Sequence, residues 1–248
     1  MQRAFAASGF IALLAASAAA GAELPAGFVY LRDAAPAILQ DMRYAGPHNF
    51  VGRPVAGYQA PECILTAAAA QALARAQQMA AGQALTLIVW DCYRPRRAVA
   101  DFLRWAHSAD TRMKAEFYPE MDKRQLFARG YIAAHSSHSR GGTVDLGLAP
   151  AGLSVVPAWD GKLKPCTAPK SVRAEDGTVD LGTGFDCFDE RAHAQSRAVP
   201  PAARRNRQIL HDVMRRAGFL GYAREWWHFG LADPPFAGHA FDFAVRPH

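Results

Sequence analysis

Apolar and polar positions alternate along this chain in several distinct patterns, and each pattern predicts a different element. Every residue from Phe10 to Ala20 except Ser17 is apolar, with a lone Arg3 before the run and the small residues Ala20-Gly21-Ala22 before Glu23. This reads as a secretory signal over residues 1–22, cleaved after Ala22; the run is short and alanine-rich for a membrane anchor, and no stop-transfer charges follow it closely. Residues 23–248 are expected to form one domain. Within it, Phe28-Val29-Tyr30-Leu31 reads as a short strand and residues 44–58 as a loop rich in Gly, Pro and Asn. The alanine-rich residues 64–79, preceded by Pro61-Glu62 and followed by Ala80-Ala81-Gly82, predict a helix.

Residues 85–90 form a continuous apolar and β-branched run, the pattern of a buried strand. It runs through Asp91-Cys92-Tyr93-Arg94-Pro95 into Ala98, Phe102, Leu103 and Ala106 at helical spacing. Arg94 therefore falls at a strand-to-helix junction, where a side chain can be aimed into a cleft. Residues 150–189, rich in Gly, Pro, Asp and Lys, predict a long ordered loop. Residues 203–217 predict a helix with Ile209, Leu210, Val213 and Met214 on one stripe and Gly218 as its stop, and residues 226–231 a last strand. The strands are few, short and irregularly separated, and no Gly-rich phosphate loop is present. The expected class is α+β, a small and mostly antiparallel sheet with flanking helices.

Composition narrows the function. Half of the 248 residues are hydrophobic and a fifth are charged, enough to bury a substantial core. Removal of residues 1–22 takes away Arg3 and no acidic residue, so the net charge of +6 falls to +5. The densest basic runs, Arg94-Pro95-Arg96-Arg97 and Arg204-Arg205-Asn206-Arg207, read as solvated helix faces, not as the stripe of a nucleic-acid binder. A periplasmic or secreted protein is expected, with no stable membrane insertion once the signal is gone.

The chemistry lies in two distant segments. Ser136-Ser137-His138-Ser139-Arg140-Gly141-Gly142-Thr143-Val144-Asp145 and Glu225-Trp226-Trp227-His228 supply two imidazoles and a carboxylate, three ligands that leave a fourth zinc position open, with a spare glutamate beside the last ligand. His138 and Asp145 are separated by an odd offset, which on a regular strand sends them to opposite faces, so Gly141-Gly142 must bend the chain. Glu225 and His228 diverge in the same way, and a turn or kink is expected at Glu225. The indoles of Trp226 and Trp227 either shield the site from water or pack in the core. His135 lies close to the first segment and would compete with His138 for a ligand position. The four cysteines allow three pairings; Cys63 with Cys92 and Cys166 with Cys187 is favoured, since each joins sequence-near segments flanking site elements, and four unpaired buried thiols are the alternative.

Ser136-x-His138-x-x-Gly141-x-x-x-Asp145 with Glu225-Trp226-Trp227-His228 resembles the zinc D-alanyl-D-alanine dipeptidases, the VanX-like branch of a peptidase group that also contains bacterial D,D-carboxypeptidases and the Hedgehog signalling fold. Further signatures run along most of the chain: Arg43-Tyr44-Ala45 with Asn49-Phe50-x-Gly52, Trp90-Asp91-x-Tyr93-Arg94-Pro95-x-Arg97-Ala98, Gly184-Phe185-Asp186-x-Phe188-Asp189-Glu190-Arg191-x-His193, and Phe241-Asp242-Phe243. The resemblance implies His138, Asp145 and His228 as ligands of one zinc ion per chain, Glu225 as catalytic base and Arg94 as oxyanion stabiliser. It implies Ser136 at the substrate carboxylate, and Asp186 and Tyr44 near the substrate ammonium. Thr143 stands where a small alanine is more usual, and residues 150–187 look longer than the family's loop. The implied substrate is a small free dipeptide, D-Ala-D-Ala, cleaved in cell-wall peptide turnover. A D,D-carboxypeptidase acting on peptidoglycan stems and a non-catalytic zinc-stabilised binding module are the rival expectations.

Overall fold

The computed structural model describes residues 23–248, so the expected signal at residues 1–22 lies outside the described residues. The chain enters through β1 (Phe28–Tyr30), a helical turn α1 (Leu31–Ala34) and the short β2 (Leu39–Gln40), then reaches β3 (Ile64–Thr66) and α2 (Ala67–Ala81). After β4 (Leu85–Asp91) come α3 (Arg96–His107), the turn α4 (Lys114–Phe117), β5 (Thr143–Pro150), α5 (Pro201–Ala217), β6 (Phe219–Tyr222) and β7 (Glu225–Leu231). Five strands form one sheet in the order β2-β4-β5-β7-β6, in which only the β2–β4 pair is parallel. β1 and β3 make a separate antiparallel pair. The α+β reading, with a mostly antiparallel sheet and flanking helices, matches this architecture.

Two boundaries differ from the periodicity. Residues 64–66 continue the helical pattern of alanines behind them, yet they pair with β1 in the register Tyr30↔Ile64, Val29↔Leu65, Phe28↔Thr66. The helix starts at Ala67 because Thr66 caps it, its hydroxyl accepting from the Ala69 N–H at 3.3 Å. Leu31, read as strand, instead opens α1 and is fully buried. At residues 64–66 long-range pairing overrides the local pattern.

The two central strands β4 and β5 are buried along nearly their whole length, which explains the unbroken apolar run at residues 87–90. α3 buries Ala98, Val99, Phe102, Trp105 and Ala106 and leaves Leu103 half-buried. α5 buries Leu210, Val213, Met214 and also Arg207, whose guanidinium donates to the carbonyls of Leu181, Arg191 and His193 and so staples the preceding loop to the helix. Residues 151–189 contain no strand or helix, as expected of the loop. The cysteines pair as favoured, Cys63–Cys92 and Cys166–Cys187, with Cα separations of 5.3 and 5.6 Å. Among the described residues no helix is long and apolar enough to cross a membrane.

Candidate metal centre and catalytic pocket

His138 sits on a 3-10 turn (Ser137–Arg140), and its own N–H donates to the Ser136 hydroxyl that caps the turn. Gly141 ends the turn at φ +75, where a side chain is disfavoured, and delivers the chain into β5, which carries Asp145. This is the bend that the odd offset between His138 and Asp145 requires. A Cβ at Gly141 would stand 2.2 Å from the ring of Phe28. Gly141→Ala is therefore expected to destabilise the fold by about 2–4 kcal/mol in urea denaturation.

β7 places His228 directly opposite Asp145. The kink expected at Glu225 is a register slip: β6 steps once from Gly221 to Tyr222 while β7 runs from Phe229 back to Glu225. Glu225 thereby turns toward His228, with Oε2 3.6 Å from Nδ1. The indoles belong to the core and not to the pocket. Trp226 donates to the Thr183 hydroxyl at 2.8 Å and Trp227 packs edge-on against Phe185.

Three donor atoms converge. His138 Nε2 lies 3.2 Å from Asp145 Oδ1 and 3.3 Å from His228 Nδ1, and His228 Nδ1 lies 3.1 Å from Asp145 Oδ1. Ligands about 2.0–2.1 Å from a tetrahedral ion stand about 3.3 Å apart, so this triangle has the dimensions of one face of a zinc site. The His138 Nδ1–H donates to the Cys92 carbonyl at 2.7 Å, a bond that leaves the Nε2 lone pair directed at the triangle. Asp145 Oδ1 is buried and has no hydrogen-bond partner, a state that a cation at the centre of the triangle would resolve. The donor set, its spacing and the orphaned oxygen all fit a metal ion. His135 is exposed at the rim of the pocket and lies outside the three-donor group.

Arg94 lies beyond β4 as expected, and what holds it was not legible in the sequence. Asp91, fully buried at the end of β4, accepts from Arg94 Nε at 2.8 Å and from the Tyr58 hydroxyl, and its Oδ2 is 3.3 Å from His138 Nδ1. One carboxylate thus orients both the arginine and a metal donor. Asp91 stood inside a quoted signature, three residues before Arg94, but Tyr58 lay in a loop that gave no signal. Ser137, also unassigned, places its hydroxyl 3.4 Å from His228 Nε2.

Tyr44, Arg94, Ser136, Asp145, Asp186, Glu225 and His228 line one cavity of about 270 Å³. In the same cavity the Tyr44 hydroxyl donates to Asp186 Oδ2 at 2.8 Å. Burial pushes the Asp186 carboxyl well above its ordinary range, the negative Asp145 adds to this, and Tyr44 and Arg94 oppose it. Asp145 behaves oppositely: burial would raise it, but the two imidazoles hold it far below the usual carboxylate range. Glu225 is raised to about 7 by burial, with His228 lowering and Asp145 raising it further. Burial opposes the charge on Arg94, yet Asp91 and the surrounding acidic groups keep it protonated.

A triangle of metal donors flanked by a half-buried carboxylate and a braced arginine is the equipment of a metal-dependent hydrolase. The family described as Peptidase M15, D-ala-D-ala dipeptidase, matches residues 25–156 and 167–246. The chain is 38% identical over 220 residues to the D-alanyl-D-alanine dipeptidase of Enterococcus faecalis, covering 88% of this chain and 98% of that protein. It is 34% identical over 222 residues to the dipeptidase of the same name from Enterococcus faecium, covering 89% and 98%. It is 31% identical over 211 residues to that of Escherichia coli, covering 84% and 87%. The chain belongs to the peptidase M15 family and is a metallopeptidase.

Proposed function

We propose that this chain hydrolyses the free dipeptide D-alanyl-D-alanine to two D-alanines, using one zinc ion held by His138, Asp145 and His228, in cell-wall peptide turnover outside the cytoplasm. The observation that carries this reading is one small cavity lined together by Asp145 and His228 of the donor triangle, by Glu225 and by the hydrogen-bonded Tyr44–Asp186 pair. Its volume falls just below the range of roughly 300–1,000 Å³ typical of drug-sized ligands, a scale suited to a dipeptide. A bound zinc would supply Lewis acidity, polarising the scissile carbonyl and acidifying the attacking water.

The chain's own residues do the rest. Burial disfavours the charge on Asp186, which accepts from the neutral Tyr44 phenol, so its ionised form needs a cation beside it, and a substrate ammonium would be that cation. Ser136 lines the cavity beside the metal donors and would bind the substrate carboxylate. Glu225 takes a proton from water as the oxygen adds to the carbonyl carbon. It returns that proton to the amide nitrogen as the C–N bond breaks. Arg94, fixed by Asp91, donates to the oxygen on which negative charge develops. An N-acylated substrate leaves Asp186 buried without its partner, so the pocket selects a free amino terminus.

A second reading, a D,D-carboxypeptidase, is favoured by one observation. A cleft of about 1640 Å³ adjoins the small cavity and shares Phe188, Tyr222 and Glu225 with it, which gives room for a longer peptide. Assays of the zinc-loaded protein on free D-Ala-D-Ala and on a stem pentapeptide ending in D-Ala-D-Ala separate the two. The dipeptidase reading expects kcat/KM to favour the free dipeptide by a factor on the order of 10² or more, and preference for the pentapeptide sinks it. The expected export is checked by N-terminal sequencing of protein recovered outside the cytoplasm, which should begin at Glu23.

A further inference from the structure

Residues 157–166 fall between the two segments that match the family, so in this chain they stand as an insertion between matched segments, outside the shared pattern. Its two anchoring side chains lead to opposite halves of the Tyr44–Asp186 pair. At its end, Cys166 is bonded to Cys187, the residue directly after Asp186. The Gly184 N–H donates to the Cys166 carbonyl at 2.8 Å, the Cys166 N–H to the Glu116 carbonyl at 2.9 Å, and the Phe188 N–H to the Phe117 carbonyl at 2.8 Å. Residues 184–188 are thus held by the insertion and α4 together. Between these ties Asp186 adopts φ +55, a left-handed backbone that a non-glycine residue keeps only where its surroundings over-determine it.

The second anchor is Trp159. Its ring stacks on the His48 imidazole, 4.4 Å between centroids and 3° between planes. His48 accepts from Arg43 Nη1 at 3.0 Å through Nδ1 and donates from Nε2 to Glu116 Oε1 at 2.6 Å. Arg43 directly precedes Tyr44, whose hydroxyl binds Asp186. The network therefore closes on itself: Trp159, His48 and Arg43 steady the phenol, while Cys166 and Cys187 steady the carboxylate. None of these contacts involves the 3-10 turn, β5 or β7, where the metal donors sit.

We infer that the 157–166 insertion is a positioning element for substrate selection, setting the Tyr44–Asp186 pair through the Cys166–Cys187 disulfide and the Trp159–His48 stack. This rests on the proposed role of Asp186 at the substrate ammonium. A pair held in its binding geometry before substrate arrives spares the ordering cost on association, so loosening it weakens ground-state recognition and leaves the bond-breaking groups in place. The disulfide also makes recognition dependent on an oxidising environment.

The test compares Cys166→Ser/Cys187→Ser, Trp159→Ala and Asp186→Ala with the parent protein. Zinc content, kcat and KM are measured on D-Ala-D-Ala, and kcat/KM on its N-acetyl derivative. For the double cysteine variant KM should rise about tenfold, kcat should stay within about twofold and zinc should remain at one per chain. Discrimination against the N-acetyl derivative should fall in parallel, and Trp159→Ala should move the same way by about threefold. Parent-like KM and discrimination in a folded double variant overturn the inference. If that variant does not fold, Trp159→Ala decides: an unchanged KM and unchanged discrimination overturn it. The Asp186→Ala control separates the two levels. Loss of discrimination there, with none in the insertion variants, refutes the positioning role alone, whereas retained discrimination in Asp186→Ala refutes the ammonium reading itself.

Discussion

Replacement of Glu225 by alanine is expected to lower kcat on D-Ala-D-Ala by a factor on the order of 10³ while the protein still binds one zinc ion. Glu225 is half-buried at the slip between β6 and β7, with its carboxylate 3.6 Å from His228 Nδ1 but outside the triangle of donor atoms. Its removal takes nothing from the coordinating set and takes away a carboxyl group that burial has raised to about 7, a suitable value for accepting and returning a proton near neutral pH. The isosteric Glu225→Gln variant should behave alike, since it keeps the volume and loses the base. Metal analysis together with steady-state kinetics provides the check, and near-parent turnover in a zinc-loaded Glu225→Ala protein removes this residue from the base role.

Metal removal is expected to have the other large effect, and it touches stability as well as activity. The triangle brings an acidic group and two imidazoles together where the 3-10 turn meets β5 and β7, and Asp145 Oδ1 has no hydrogen-bond partner within the chain. Zinc at 100 to 1,000 times its dissociation constant stabilises the folded state by about 3–4 kcal/mol, so chelation should lower Tm by roughly 5–15 °C for a chain of this size. Activity should vanish with the metal and return on adding zinc. His138→Ala should abolish both zinc retention and turnover, and its Tm should no longer respond to chelator. A His138→Ala protein that keeps its metal and activity refutes the ligand assignment. Scanning calorimetry with and without chelator, paired with metal analysis, reads these outcomes directly.

Much of the site's chemistry was visible along the chain because its parts come in short local motifs. The offset between His138 and Asp145, with two glycines between, demanded a bend, and the chain bends at Gly141. The same parity argument at Glu225 and His228 demanded an irregularity, and the strand register slips there. Hydrophobic patterning located β4, α3, α5 and β7: a helix that buries one face repeats its apolar residues at its own period, and a strand buried on both faces such as β4 shows an unbroken apolar run. It failed at residues 64–66, where pairing with β1 outweighs an alanine-rich helical pattern.

What sequence alone determined, then, is the inventory: two imidazoles, two carboxylates and an arginine of the right chemical kinds, each beside a local device that turns it. The tertiary structure decided which of these groups meet. Segments far apart in the chain bring donor atoms of His138, Asp145 and His228 within 3.3 Å of one another, set Asp91 against both Arg94 and His138, bond Tyr58 to Asp91 and stack Trp159 on His48. Periodicity and turn chemistry report interactions between near neighbours. Contacts closed across long loops depend on how the sheet orders its strands, and no short window of sequence carries that order.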